Sequence, residues 1–594
     1  MKTFSGSFTQ GGQVELHKLR MLKQVFGTTL KVSLCVGIIA LVGLCVAAAP
    51  YEAYWNLLCY YKALLRNSLN FLPKGFFDSS WLFWKPGKIY EVSDYQLEHN
   101  VQFVASALYM QSILIQKAIW SLGVWVISFV MLSSFWIVRG KSKHAKQILN
   151  GTTLVSDKTM IRLIKKNKHV SDLHIGEVPL IKDKETEHFL ISGTTGSGKT
   201  NCIIELLQQI RRRGDRAVIV DSTSELFQRF FEADKDLLLN PLDARTQNWD
   251  LWAECEERYH FNEFAECLIP SSSRHDTFWT NAARDVFVET AAILGESNYH
   301  SYEELLNFAI KRPLLDVEAF YADSCVASMM NEAAEKTSMS IRSTLATAIR
   351  GFESLEEKGD FSIRKWMQSA YLPPSSNLAG ALAEADSEGG WLFLSCQTDQ
   401  RALLRPLFSG WLSIAARSLM ATATTQKGKV WFIIDELPTL NHLPELPKAL
   451  AEVRKYGGCF VIGLQSISQL EDIYGRATTQ TISGLTGTKV LFRAAEPATA
   501  KRMSELLGEQ EVIEAMESIS FGAHQMRDGV NLSDQKRNLR TIPYTDLLQL
   551  NNLEAYLRLP GNYPITKIKF NYHDLPASAI AFVKKLLTGH QDTG

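Results

Sequence analysis

Two long apolar runs stand apart from the rest of the chain. Residues 32–49 and 118–138 contain no Asp, Glu, Lys or Arg. At the rise of an α-helix each is long enough to cross the hydrocarbon core of a bilayer, the first with little to spare. The second carries Trp120, Trp125 and Trp136. Beyond residue 180 the pattern changes to short apolar runs that end in polar residues, as buried parallel strands do. They are His188-Phe189-Leu190-Ile191-Ser192, Arg216-Ala217-Val218-Ile219-Val220-Asp221, Trp391-Leu392-Phe393-Leu394-Ser395, Val430-Trp431-Phe432-Ile433-Ile434-Asp435-Glu436 and Cys459-Phe460-Val461-Ile462-Gly463-Leu464-Gln465-Ser466. From about 255 to 385 such runs stop. Helical periodicity replaces them, as in Asn281-Ala282-Ala283-Arg284-Asp285-Val286-Phe287-Val288.

The pattern therefore predicts an α/β protein with an inserted all-α domain, preceded by two transmembrane helices. The expected segments are 1–31 (cytoplasmic), 32–49 and 118–138 (spans), 50–117 (periplasmic loop), 139–254 and 386–575 (two parts of the nucleotide-binding domain), 255–385 (all-α domain) and 576–594 (tail). Ala47-Ala48-Ala49 looks like a signal-peptidase site. The long basic flank ahead of the first run and the second run after it weigh against cleavage. Lys18, Arg20, Lys23 and Lys31 precede the first span, and Arg139, Lys141, Lys143 and Lys146 follow the second. This places both termini in the cytoplasm.

The chain has 63 Lys+Arg against 63 Asp+Glu. That balance excludes a uniformly basic protein but not local basic patches. One such patch is Lys158, Arg162, Lys165, Lys166 and Lys168, readable as an anion contact or as a solvated helix face. The nine cysteines form no C-x-x-C pair, so neither a zinc site nor a disulfide framework is expected.

The chemistry centres on Gly193-Thr194-Thr195-Gly196-Ser197-Gly198-Lys199-Thr200. It matches the phosphate-binding loop, between a strand and a helix as that motif requires. Its glycines and the helix N-terminus turn N–H groups toward phosphate. Lys199 is expected at the β- and γ-phosphates of ATP, and Thr200 on Mg²⁺. The strand ending in Asp435-Glu436 reads as a Walker B, with Asp435 toward Mg²⁺ and Glu436 as the base that orients water. Gln465 reads either as a γ-phosphate sensor or as an ordinary polar strand end. Arg454 reads equally as a surface arginine or as a finger offered to a neighbouring subunit. Arg211, Arg212 and Arg213 are expected to cap their helix. Lys489 and Arg493, on either side of the strand-like Val490-Leu491-Phe492, read either as a plain sheet edge or as loops that grip nucleic acid.

These motifs, in this order, resemble the type IV secretion coupling proteins, most closely those of F-type conjugative plasmids. Supporting stretches are Asn240-Pro241-Leu242-Asp243-Ala244-Arg245, Phe278-Trp279-Thr280-Asn281-Ala282-Ala283-Arg284, Phe361-Ser362-Ile363-Arg364-Lys365-Trp366-Met367, Asp435-Glu436-Leu437-Pro438-Thr439-Leu440, Gln469-Leu470-Glu471-Asp472-Ile473-Tyr474-Gly475, Arg527-Asp528-Gly529-Val530 and Leu559-Pro560-Gly561-Asn562-Tyr563-Pro564. The resemblance implies a RecA-like motor forming a homo-hexameric ring at the bacterial inner membrane. It implies ATP- and Mg²⁺-dependent pumping of single-stranded DNA, with its bound relaxase, to the inner-membrane components of a secretion channel. By position it makes Gln465 the sensor and Arg454 the finger. Two departures stand out. Glu185-Thr186-Glu187-His188 holds no Arg where some relatives place one, so no second Arg is assigned. The chain also ends without the long polar tail of F-type members, which puts the relaxosome docking mode in doubt. An FtsK-like duplex translocase and a coupling protein for protein effectors are the alternatives. An ABC transporter is disfavoured, because no L-S-G-G-Q-like signature occurs.

Overall fold

The computed structural model describes residues 2–68, 80–85, 88–144, 147–270, 277–297, 299–357, 359–369, 390–422, 428–520 and 529–585. Residues 370–385 of the expected all-α domain, 586–594 of the expected tail and the 527–528 part of one motif lie outside these. The chain divides into two units, 1–147 with 513–535 and 148–512 with 536–594.

In the first unit both apolar runs are helical, but the helices outrun them. One covers Lys2–Ala48 and the other Val101–His144. Their stretches apolar and long enough to cross a membrane are Leu19–Ala48 and Val101–Arg139. The uncharged runs are shorter than the helices because charge does not end a helix. A lone Lys23, Lys31 or Lys117 does not break a helix, because lysine is a good helix former whose stem lies along apolar surface. Much of this apolar surface faces outward, including Ile38, Ile39, Ile127 and Val130, as a lipid-facing helix requires. The two helices meet through small groups. The buried Ser121 hydroxyl donates to the Gly37 carbonyl at 2.9 Å. A Cβ on Gly37 would stand 3.0 Å from the Trp125 Cβ. The stretch between is no simple loop: it holds the helix Tyr51–Ser68, the antiparallel strands Ser80–Lys85 and Lys88–Ser93, and the helix Asp94–His99.

The second unit is built on a ten-stranded mixed sheet. Across it run Leu154–Val155, Ile565–Lys569, Glu554–Arg558, Thr488–Leu491, Phe189–Ser192, Gly458–Leu464, Val430–Ile434, Arg216–Asp221, Trp391–Ser395 and Leu237–Leu238. From Thr488–Leu491 to Leu237–Leu238 every pairing is parallel. Glu554–Arg558 joins this block antiparallel, and Ile565–Lys569 pairs antiparallel with it in turn. The central strands read as unbroken apolar runs because both faces are covered. One face packs on the helix Lys199–Arg213, through Cys202, Ile203, Leu206, Leu207 and Ile210. The other shares one continuous core with the inserted helices, from Leu190, Val218 and Phe432 to Phe264, Phe287 and Leu345. Those helices include Arg258–Leu268, Thr277–Glu296 and Glu335–Ile349.

Arg211, Arg212 and Arg213 form the last turn of the phosphate-loop helix, the end where its dipole favours cations, but the hydrogen bonds that close it come from backbone. Gly214, at φ 75°, ends the helix and returns its N–H to the Arg211 and Ile210 carbonyls. Arg211 instead grips Asp236 at 2.8 and 2.5 Å and lies over the Trp391 ring. Arg213 faces Asp172, Glu185 and Asp215. Carboxylates on neighbouring elements outbid the helix carbonyls, since a charged pair is the stronger bond.

Candidate nucleotide-binding site

The loop 193–200 leaves strand Phe189–Ser192 at its C-terminal end and runs into helix Lys199–Arg213. Its shape depends on two glycine properties. Gly198 has φ +118°, which L side chains rarely adopt. A Cβ on Gly193 would meet the Phe492 Cβ at 2.5 Å and the Ser197 hydroxyl at 2.6 Å. The loop is anchored on both flanks. Gly193 N–H donates to the Leu464 carbonyl at 3.0 Å, and Thr194 N–H to the Arg493 carbonyl at 2.9 Å. Ser197 closes the turn, its hydroxyl donating to the Thr194 carbonyl at 2.6 Å.

The loop opens on a cavity of about 520 Å³, lined by Thr194, Thr195, Gly196, Gly198, Lys199 and Thr200, with Asp435 and Gln465 across from them. Residues 236 positions apart meet here. The Lys199 ammonium, 8 % exposed, donates to the Asp435 carbonyl at 2.9 Å and to Glu436 Oε2 at 2.8 Å. Glu436 Oε1 accepts the Gln465 N–H at 3.1 Å, and the Gln465 side-chain oxygen accepts the Thr195 hydroxyl at 3.3 Å. Gln465 thus touches the phosphate loop through its side chain and the Walker B acid through its backbone.

The donors present fit a magnesium–nucleotide. Asp435 Oδ1 is buried without a hydrogen-bond partner, and the Thr200 hydroxyl lies on the same cavity wall. No group of three or more His, Cys, Asp or Glu able to hold a metal occurs among the described residues. A cation held by Asp435 and Thr200 would complete its shell with phosphate and water, as Mg²⁺ prefers. One strand over, Asp221 is fully buried. It accepts Thr223 N–H and Phe227 N–H, while burial, with Asp435 nearby, pushes it up to about 6.

Several wall residues had no sequence signal. Arg229, paired with Glu225 at 3.1 Å, lies on the cavity although no second arginine was assigned. Leu553, just before strand Glu554–Arg558, and Tyr572 and His573, just after strand Ile565–Lys569, also line it. They are fastened over the phosphate-loop helix by Asn201, which donates to the Asn571 carbonyl at 2.9 Å and accepts the His573 N–H at 2.8 Å.

Arg454 is not on this cavity. It sits on the short turn Val453–Tyr456, is 52 % exposed in its side chain, and pairs with Glu187 Oε1 at 3.1 Å. Its turn is held from below by His188, whose Nε2 lies 2.6 Å from the Leu450 carbonyl and whose Nδ1 faces the Phe460 N–H at 3.1 Å. A carbonyl can only accept and an N–H only donate, so Nε2 carries the proton. Burial holds this imidazole down to about 4, hence neutral. Lys489 is no gripping loop either: it lies on a central strand and is 6 % exposed. Arg493 lends its carbonyl to the phosphate loop instead. The basic patch Lys158, Arg162, Lys165, Lys166 and Lys168 is exposed, above a helix that buries Met160 and Ile164.

The family described as type IV secretion-system coupling protein DNA-binding domain matches residues 172–571. The coupling protein TraD of Escherichia coli K12 is 33 % identical over 585 residues, covering 97 % of this chain and 79 % of that protein. The chain belongs to the type IV secretion-system coupling proteins. Among solved structures it is similar to the conjugative coupling protein TrwB lacking its N-terminal segment, at 28 % identity and a TM-score of 0.64, over 74 % of this chain and 97 % of that one. TrwB solved with ADP and Mg²⁺ gives 28 % identity and a TM-score of 0.64, over 74 % and 98 %. This coupling protein therefore has the RecA-like sheet with an all-α insertion that its residues imply.

Proposed function

We propose that this coupling protein is a membrane-anchored ATPase that pumps single-stranded DNA, with its bound relaxase, into a type IV secretion channel. It works as a homo-hexameric ring at the bacterial inner membrane, with both termini cytoplasmic. The observation that carries the reading is the Lys199–Glu436–Gln465 chain beside an Asp435 oxygen that accepts no hydrogen bond and faces the Lys199 ammonium at 3.7 Å. Lys199 offers its ammonium to the β- and γ-phosphates, for which Glu436 competes. Thr200 and Asp435 hold Mg²⁺, which neutralises phosphate charge when bound. Glu436, released from Lys199, orients and polarises the attacking water. Gln465 joins the γ-phosphate side of the loop to the Walker B acid, so a change there is passed to the sheet. Arg454 points away from its own cavity, which suits an arginine that serves the next subunit.

The test is ATP hydrolysis by the full chain in detergent, with single-stranded DNA, duplex DNA or none. Stimulation by single strands is expected. Stimulation by duplex alone would replace the reading with a duplex translocase, and unchanged hydrolysis in Lys199→Ala would end the motor reading.

A further inference from the structure

A second cavity, of about 420 Å³, lies apart from the nucleotide site. It sits where strands Phe189–Ser192 and Thr488–Leu491 begin and where Glu554–Arg558 ends, opposite the phosphate loop. Three cations and three carboxylates line it. Arg502 is matched, at 3.3 Å from Glu471 and 3.0 Å from Glu505. Glu187 is matched by Lys184 at 2.6 Å and Arg454 at 3.1 Å.

The other two cations are not matched. Neither Lys489 nor Arg558 has a carboxylate within ion-pair distance among the described residues. Lys489, buried, donates to the Thr486 carbonyl. Arg558 donates to the Leu506 carbonyl at 2.5 Å. An ammonium has three donors and a guanidinium five, so both keep donors to spare. Thr479 lines the same cavity, is 2 % exposed, and its hydroxyl has no hydrogen-bond partner. Burial, with Arg558 nearby, lowers Lys489 to about 8. Two neighbouring cations with no carboxylate at ion-pair distance, beside a buried hydroxyl without a hydrogen bond, make a costly arrangement for a folded core. An anion between them would satisfy all three.

We propose that this cavity binds a small free anion of the phosphate class, held by Lys489 and Arg558 with the Thr479 hydroxyl as a third donor. A divalent tetrahedral oxyanion offers acceptors to all three at once and opposes both charges. The cavity is within the range of small-ligand sites, and Ile467, Leu559 and Pro560 leave an apolar wall for an organic body attached to the phosphate.

Inorganic phosphate is the probe. The full chain in detergent is saturated with ADP and Mg²⁺, so that the phosphate loop is occupied. Its melting temperature is then followed against phosphate, with chloride holding ionic strength constant. A saturable rise of about 1–2 °C is expected. Lys489→Met should abolish it, and Thr479→Val should raise the phosphate concentration needed several-fold. Gly484→Leu should abolish it by filling the cavity, since a Cβ there meets nothing within 4 Å. If Lys489→Met does not fold, Gly484→Leu and Thr479→Val decide. No saturable rise in the wild type, or the same rise in these variants, would overturn the site.

Discussion

At its C-terminal end, strand Phe189–Ser192 runs into charges whose partners can be exchanged. Lys199 holds Glu436, yet a phosphate would suit the same ammonium, and one Asp435 oxygen accepts no hydrogen bond and has only the Lys199 ammonium, at 3.7 Å. At its N-terminal end, four residues away, the charges are locked. Glu185 takes Lys429 at 2.6 Å and the Ser171 hydroxyl at 3.0 Å, Glu187 takes Lys184 and Arg454, and His188 is held neutral between two backbone groups. The contrast separates two uses of buried charge. Where a site must receive a charged ligand, its own ion pairs have to be breakable. Where an exposed arginine is held in one place, as Arg454 is by Glu187, the charges around it pair off locally. The unmatched Lys489 and Arg558 break the rule at the locked end, which is why that cavity stands out.

The most severe break of the exchangeable end is Lys199→Ala. Phosphate release should fall by about four orders of magnitude or to background, because the ammonium's stabilisation of phosphate charge is lost. The variant should still sediment with membranes, since the spans are untouched.

Arg454→Ala tests whether the locked end serves another subunit. Turnover should drop by about a thousandfold, with nucleotide affinity nearly unchanged. Mixing Arg454→Ala with Lys199→Ala subunits should restore part of the hydrolysis. No recovery at any ratio would confine Arg454 to a structural role.

His188 sharpens the comparison through pH. Its folded pKa of about 4 lies below the ordinary value of 6.5. A depressed imidazole contributes stability that is complete above pH 6.5 and is lost as pH falls toward 4. The advantage of wild type over His188→Gln should therefore shrink by about 3 kcal/mol across that window. It would be read as converging melting temperatures. Curves that stay parallel would mean that His188 does not titrate there.

Glu187→Gln should have the smallest effect. The Glu187–Arg454 pair is half exposed at the arginine, so it is worth about 0.5–1 kcal/mol. Turnover should fall two- to fivefold, with melting temperature almost unchanged.

Much of the nucleotide site was legible along the chain because its parts are local. Gly193 to Thr200 is contiguous, and its spacing follows from how a backbone wraps phosphate. The strands ending at Asp435 and Gln465 announced themselves because both sheet faces are buried, which demands unbroken apolar runs. The spans were legible in the same way, through the length of apolar run a bilayer requires, although their helices extend past the charges that marked the ends. What folding alone decided concerns pairs far apart in sequence. Asn201 meeting Asn571 and His573, Arg229 on the cavity wall, and Arg211 leaving its helix end for Asp236 depend on which elements become neighbours. No local spacing encodes that. Lys489 is the clearest case. In Thr488-Lys489-Val490-Leu491 a lysine beside apolar residues suits an edge or a loop, and only the strands on either side make it buried.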